Sequence, residues 1–193
     1  TVRKALSELE QRGFVKKSNG KGTIVIEPDD TKLHQLALNS GYVEKALRYL
    51  HALQLMVLII RPAALAAAAR FTREELDELT DRFTSPGSVY LADIQEAVLK
   101  HTTLEPLYVI LSETNHLLEW GHHFAYYPSK RHTLSHLNKK AITALRQLYE
   151  GNASSFADGM ADCYRYILIC MKKNMVEKYK FHNVANIRVP EKY

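Results

Sequence analysis

Cysteine is scarce in this sequence, which has Cys163 and Cys170 among 193 residues. Two thiols seven positions apart form neither a disulfide framework nor a C-x-x-C metal pair, so we expect a reduced, cytoplasmic protein. A long uninterrupted apolar run is also missing, because the most apolar stretch, residues 53–69, contains Arg61 and Pro62. A membrane-spanning helix of about 20 residues would not carry that pair near its middle. The stretch therefore predicts a core helix and no membrane partner.

Sequence signatures of catalysis are missing as well. The chain has no G-x-S-x-G, H-E-x-x-H, P-loop or Rossmann pattern, and no paired carboxylates beside a histidine in an apolar frame. His132 and His136 have an i, i+4 spacing that can bind zinc, but no third ligand is evident, so a solvated pair is the preferred interpretation. We expect no enzyme activity, no catalytic residue, no metal and no cofactor.

What the chain does have is positive charge at both ends. Apolar residues make up 46% and charged residues 24%, with a formal net charge of +5. Residues 1–26 hold six basic against two acidic residues, and so do residues 171–193. Basic ends on a nearly neutral body suggest a polyanionic partner at one end or both. For residues 171–193 alone, lysines that only keep the chain soluble are the preferred interpretation.

The first 28 residues predict a small unit of their own. Val2, Ala5, Leu6 and Leu9 form one apolar stripe, which predicts a helix over 1–12 that ends at Gly13. Two short strands, 14–17 and 23–26, flank a turn and form a hairpin. A break at 27–30 then begins a linker or short connecting helix over 29–40.

Residues 41–193 predict an all-helical domain. A long helix over 42–69 is expected to kink at Pro62, and Thr72 with Glu75 forms a capping box for the next helix. Ser154 or Ser155 is expected to cap the last one. The predicted helices after the first are 73–83, 89–101, 106–124, 130–150 and 156–178. The fold class is mainly α: part of a winged helix-turn-helix followed by an antiparallel bundle of six or seven helices.

The amino-terminal pattern resembles the GntR family of bacterial transcription regulators. The matching residues are Thr1-Val2-Arg3, Ala5-Leu6, Leu9, Gly13-Phe14, Gly20-Lys21-Gly22-Thr23 and Val25. The resemblance implies a winged helix-turn-helix whose first two helices and leading strand would precede Thr1. It also implies a double-stranded DNA operator as partner. The residues predicted to bind DNA are Thr1, Arg3, Lys4, Asn19, Gly20 and Lys21. A helix N-terminus favours phosphate, Arg3 can reach a guanine edge, and the glycines leave the wing tip unobstructed.

The helical domain is similar to the FadR/FCD subgroup of that family. The similarity lies in Leu58-Ile59-Ile60-Arg61 and in Gly121-His122-His123-Phe124 before Pro128. Many members hold a metal with one aspartate and three histidines. When Glu105-Pro106 and Gly151-Asn152 are matched to the family pattern, those four positions fall at Ala92, Glu96, Ala141 and Cys163. The two alanines cannot bind a metal. The resemblance therefore implies a metal-free domain that binds a small organic anion, an acyl-CoA or another organic acid. We expect that effector to tune the operator affinity of a repressor or activator. We also expect a homodimer, because a single recognition helix reads too few base pairs for useful specificity.

Arg61 is the leading candidate for the effector site. A charge within so apolar a stretch must be paired, either with an acidic side chain of the bundle or with an anionic ligand. The other candidates share a place on the central helices, where core packing is the more common role of such side chains. The full predicted set is Arg61, Tyr108, Asn115, Trp120, His123, Phe124 and Tyr164. A second hypothesis is a helical dimerisation module that binds no DNA.

Overall fold

The computed structural model describes residues 2–11, 14–18, 20, 22–26, 42–82, 90–122, 131–177 and 180–191. Its mainly helical character confirms the predicted class at that coarse level. The described elements are α1 (Val2–Gln11), β1 (Val15–Ser18), β2 (Gly22–Val25), α2 (Tyr42–Ala68), α3 (Arg73–Arg82), α4 (Tyr90–His101), α5 (Glu105–His122), α6 (Arg131–Tyr149), α7 (Ala153–Glu177) and a 3₁₀ turn, His182–Val184. Strands β1 and β2 pair antiparallel. The linker predicted over 29–40 lies outside the described residues.

Helix α2 is the centre of the helical domain and packs against α4, α5 and α7. Small residues bring these helices close, since Ala63, Ala64 and Ala67 are all fully buried. The helix continues across Pro62 as one element. Pro62 lies on the exposed side, as does Leu58, whose carbonyl the proline leaves without an amide donor. Solvent can therefore satisfy that carbonyl.

Residues 46–68 of α2 are long and apolar enough, by length and composition alone, to cross a membrane. Half of the tested window is buried inside the helical domain. Burial of that extent is what a core helix needs, and it agrees with the interpretation of this stretch as core.

Helix α3 begins at the predicted capping box, which the structure confirms. The Thr72 hydroxyl accepts a hydrogen bond from the Glu75 amide (3.2 Å), and a Glu75 carboxylate oxygen accepts one from the Thr72 amide (3.1 Å). The same carboxylate lies 2.7 Å from the Lys100 ammonium and 2.8 Å from Nε2 of His101. Lys100 and His101 belong to the last turn of α4. Glu75 thus both starts α3 and fastens it to α4.

Helices α6 and α7 are joined by a tight, glycine-dependent turn. Gly151 has φ +82°, and the amides of Gly151 and Asn152 donate to the carbonyls of Leu148 (3.0 Å) and Gln147 (2.8 Å). This is the Schellman pattern, which needs a residue with positive φ. The side chain of Asn152 then accepts the Ser155 amide at 3.0 Å. The predicted caps, Ser154 and Ser155, are wrong: the residue just outside the turn already presents a capping oxygen, so α7 begins at Ala153.

Residues 180–191, which we call the C-terminal strap, lie along α7 and α2. Phe181, Val184 and Ile187 are buried and anchor the strap in the core. Side chains of the two helices donate to its backbone carbonyls: Lys172 to Ile187 (2.6 Å), Gln54 to Arg188 (2.6 Å), and Arg165 to Pro190 (3.0 Å) and Glu191 (2.9 Å). These carbonyl groups of the strap, which belong to no helix or strand, thus accept hydrogen bonds from side chains of the two helices.

The close approach of α6 and α7 gives a first prediction. A Cβ added at Gly159 would lie 2.7 Å from the Ala144 Cβ and 3.2 Å from its Cα. We expect Gly159→Ala to lower the free energy of unfolding, since overpacking typically costs about 1–3 kcal/mol and the gain in helix propensity is about 1 kcal/mol. Urea unfolding followed by circular dichroism measures the change. Ser154→Ala, on an exposed position of the same helix, is the control.

The double variant Gly159→Ala with Ala144→Gly removes the clash. It should be more stable than the sum of the two single changes allows, because the two sites are in contact. A Gly159→Ala variant more stable than wild type would show that α6 and α7 leave room for a methyl group at this position.

Acid gives a second prediction, at Glu75. Hydrogen bonds from Lys100 first, and from the Thr72 amide second, lower the pKa of Glu75 to about 2. A carboxylate whose folded pKa is depressed stabilises the fold above its ordinary pKa of 4.5, and that stabilisation is lost as the pH falls toward 2. We expect Glu75→Gln, which keeps a capping oxygen, to cost about 1 kcal/mol or less at pH 7, the range of exposed ion pairs. The difference from wild type should vanish in thermal melts between pH 4.5 and pH 2. A gap that persists at pH 2 would show that the carboxylate charge is not the cause.

Candidate nucleic-acid interface

Helix α1 and the hairpin form one small unit. The Phe14 amide donates to the Leu9 carbonyl (2.9 Å), which closes the helix end, and the Ile26 amide donates to the Phe14 carbonyl (2.9 Å). In the hairpin register, Val15 is opposite Val25. Val15 is the one buried side chain among the described residues of this unit. So little burial means that polar contacts must contribute to holding helix and hairpin together.

The main polar contact is a clamp between Glu10 and Lys17. One carboxylate oxygen of Glu10 accepts the Lys17 amide at 3.2 Å, and the other lies 2.9 Å from the Lys17 ammonium. The hydrogen bond from the Lys17 side chain, followed by that from its amide, lowers the pKa of Glu10. Both strand and side chain of Lys17 are thus tied to the helix. The Lys17 side chain is still 62% exposed, but its charge is paired with that of Glu10.

The outer face of α1 is polar and carries positive charge. Arg3, Ser7 and Gln11 follow one another at i, i+4 spacing, and Lys4 lies beside them. All four are exposed, and α1 has no buried residue. Donors and acceptors of this kind can read base edges, while the cations reach phosphates.

Two glycines shape the tip of the hairpin. Gly20 and Gly22 both have φ +77°, a left-handed conformation that favours glycine. A Cβ at either position would meet no atom within 4 Å. Conformation, not crowding, therefore requires glycine here, and the surface beside the tip is open. Thr1, Asn19 and Lys21, also predicted to bind DNA, lie outside the described residues.

The apolar stripe of α1 is another exposed surface. Val2 is 76% exposed and Leu9 38%, while Ile24 and Val25 of the hairpin are 44% and 81% exposed. No described residue covers these side chains. They suit packing against a further protein element better than contact with a polyanion.

Arg61 has an acidic partner within the chain. Its Nε lies 2.7 Å from a carboxylate oxygen of Asp158, which links α2 to α7. The Arg61 side chain is 28% exposed and that of Asp158 is 55% exposed. Of the two alternatives left open by the sequence, the structure shows the pairing with an acidic side chain. The charge is also less enclosed than the flanking apolar residues suggested, because Arg61 lies at the edge of the buried face of α2.

The remaining candidates for the effector site differ in their surroundings. Tyr108 is 48% exposed on α5. Tyr164 is buried in α7, and its hydroxyl donates to the buried side chain of Gln95 on α4. Asn115 and Trp120 belong to α5, but their side chains, like the whole of His123 and Phe124, lie outside the described part of the chain. The structure thus describes the surroundings of Arg61, Tyr108 and Tyr164, and the effector site as a whole stays a prediction.

A cleft that the sequence did not indicate lies between α3 and α4. It has a volume of about 280 Å³. Its charged walls are Glu75, Glu78, Arg82, Asp93, Glu96 and Lys100. Both cations of the cleft have partners, since Lys100 pairs with Glu75 and Arg82 lies 3.7 Å from Asp93. Only the helix periodicity of α3 and α4 could have pointed to this cleft, because its walls come from two separate segments.

The sequence predicts that Ala92, Glu96, Ala141 and Cys163 take the places of the metal ligands of the resembled subgroup. Cys163 is fully buried, and burial raises the pKa of its thiol to about 12, so it is a neutral core residue at physiological pH. Among the described residues, no group of three or more His, Cys, Asp and Glu side chains could hold a metal ion.

Comparison with known proteins gives no relative from which a class or a name could be transferred. No family model matches the chain, and neither a curated protein nor a solved structure shows significant similarity to it. Function must therefore be inferred from the residues of the site itself.

The clamp gives a third prediction. Glu10→Gln should increase the hydrogen-exchange rate of the Lys17 amide, because the accepting oxygen no longer carries a negative charge. Lys17→Met keeps the hydrogen bond from the residue-17 amide to Glu10 and removes only the ammonium. Its effect on exchange of the same amide should therefore be smaller. Exchange measured by nuclear magnetic resonance, with the Leu6 amide inside α1 as reference, tests both. Equal exchange rates in wild type and Glu10→Gln would show that the Glu10 carboxylate does not hold the Lys17 amide.

Proposed function

We propose that this protein is a transcription regulator that binds double-stranded DNA through α1 and the hairpin. Helix α1 enters the major groove with its polar face, and the hairpin contacts the sugar–phosphate backbone beside it. The observation that carries the proposal is the exposed face of Arg3, Lys4, Ser7 and Gln11 on a helix fixed to a glycine-tipped hairpin.

The chemistry of that face supports a duplex as partner. An arginine can bind a guanine edge with two hydrogen bonds, and glutamine can bind adenine in the same way. Lys4 and the exposed Lys16 of β1 supply phosphate contacts that set position but not sequence. The Glu10–Lys17 clamp supports the proposal because it fixes how far the hairpin stands from the helix.

Regulation by a small organic anion is a further part of the proposal. The Arg61–Asp158 pair supplies the counter-charge that a ligand carboxylate was expected to supply. Arg61→Leu separates the two roles: loss of stability with an unchanged response to ligand would assign Arg61 to the ion pair alone. Pairing of two copies on a twofold operator stays a prediction, made because one helix reads few base pairs.

The fourth prediction tests DNA binding itself. Arg3→Ala should cost about 1–3 kcal/mol of operator binding if Arg3 reads a base, with relaxed specificity at that base. Lys4→Ala should instead weaken binding to all sequences alike and reduce the salt slope by about one. The operator is first selected from random duplexes, and affinities are then measured by fluorescence anisotropy over a series of KCl concentrations.

Glu8→Gln on the same helix removes a negative charge and is the matched control, with affinity equal to or above wild type. Absence of duplex binding by the full chain at low salt would overturn the proposal. It would favour the second hypothesis, a helical dimerisation module that binds no DNA.

A further inference from the structure

Helix α6 presents an exposed stripe of basic side chains. From Arg131 to Tyr149 it contains four Lys and Arg residues and no Asp or Glu. Residues 136, 139, 140, 143 and 146 follow the spacing of one helix face. Residues 136, 139, 143 and 146 are exposed and residue 140 is half-buried, whereas Leu137, Ala141 and Leu145 on the opposite side are buried. We call His136, Lys139, Lys140 and Arg146 the α6 stripe.

The cations of the α6 stripe differ from several cations elsewhere in the domain. Arg61, Arg82 and Lys100 each lie within 4.0 Å of a carboxylate. Within the described part of the chain, no ion pair involves Lys139, Lys140 or Arg146. Lys140 instead lies 6.0 Å from the ring centroid of Tyr166, and the His136 ring is 4.9 Å from the same ring. A row of cations with no described carboxylate within ion-pair distance concentrates positive potential along one edge of the domain.

We propose that the α6 stripe is a second contact surface for the phosphate backbone of duplex DNA. Residues 136–146 extend about 15 Å along the helix axis, at 1.5 Å per residue. A duplex presents one phosphate charge per about 1.7 Å of its axis, so several phosphates face a stripe of that length. The inference rests on the proposed function, because it assigns to the helical domain part of the affinity for the same duplex.

Two other kinds of partner, an anionic membrane and another protein, fit the α6 stripe less well. An anionic membrane surface is bound by helices that also insert large apolar side chains. Between residues 136 and 148 no large hydrophobic side chain is exposed. The core of a protein–protein interface is depleted in lysine, and the stripe has two lysines at its middle. Phosphates need only the cations that the stripe offers.

The experiment measures binding of the full chain to a fluorescent 40-base-pair duplex of mixed sequence at several KCl concentrations. The test variant is Lys139→Gln with Lys140→Gln and Arg146→Gln. Its slope of log affinity against log salt should be shallower than that of wild type by about 2–3, because each neutralised phosphate contributes about 0.9 to the slope. The control variant, Arg70→Gln with Lys180→Gln and Arg188→Gln, makes the same change of net charge at other exposed positions.

A conservative variant, Lys139→Arg with Lys140→Arg, should retain the wild-type slope because it keeps both charges. Single Arg146→Gln should lower the slope by about one, which keeps the test decisive if the triple variant does not fold. Thermal melts identify variants that are folded.

The outcomes separate this inference from the proposed function. If Arg3→Gln with Lys4→Gln lowers the slope and the α6 triple variant does not, the α6 inference is overturned and the proposed function stands. If only the α6 variant lowers the slope, the stripe binds DNA and the role of α1 is overturned. An equal decrease of slope in the α6 and control variants would overturn the stripe as a site, since net charge alone would explain it. Flotation of wild type with phosphatidylserine vesicles, without binding to the duplex, would assign the stripe to a membrane instead.

Discussion

Burial of helix α2 is the constraint on which the rest of the helical domain depends. The helix has apolar residues along most of its length, and they leave water only if other helices cover it on several sides. Helices α4, α5 and α7 do so, and the fully buried alanines near its end allow short distances between backbones. The C-terminal strap then covers part of the groove beside α2 and α7, where Gln54 holds the Arg188 carbonyl. Because this packing fixes which side of each helix is buried, it also fixes which charged side chains face solvent.

Local signals were the ones that could be predicted from sequence. The capping box of Thr72 and Glu75 and the turn at Gly151 involve partners within a few residues, so the chain itself brings them together. The Arg61–Asp158 pair joins residues 97 apart, and no periodicity identifies which carboxylate an arginine will meet across two helices. The error at the start of α7 has a similar cause. Asn152 looked like the end of one helix, but it serves both as part of that end and as the cap of the next.

The candidate DNA-binding face was predictable in part because its residues need no partner elsewhere in the fold. Its residues act from the surface, where the helix period alone fixes which side chains share a face. The sequence identified Arg3 and Lys4, but it could not show that the exposed Lys17 forms an ion pair with Glu10. That contact joins a helix to a strand, and it decides which of two neighbouring lysines, Lys16 or Lys17, remains free for a phosphate.

Cations in this chain thus have two distinct physical roles. Where an arginine or lysine meets a carboxylate, as Lys100 meets Glu75, its charge fixes one helix against another, and its contribution to long-range attraction is largely cancelled. Where no carboxylate of the described residues lies within ion-pair distance, as at Arg146, the charge stays available and attracts anions from solution. Net charge alone does not distinguish these roles, because both count as +1. The pairing pattern does: among the described residues, Lys139, Lys140 and Arg146 on α6, and Arg3 and Lys4 on α1, share a helix surface and have no carboxylate within ion-pair distance. A polyanion that contacts either surface gains affinity by releasing its counterions, without breaking an ion pair of the fold.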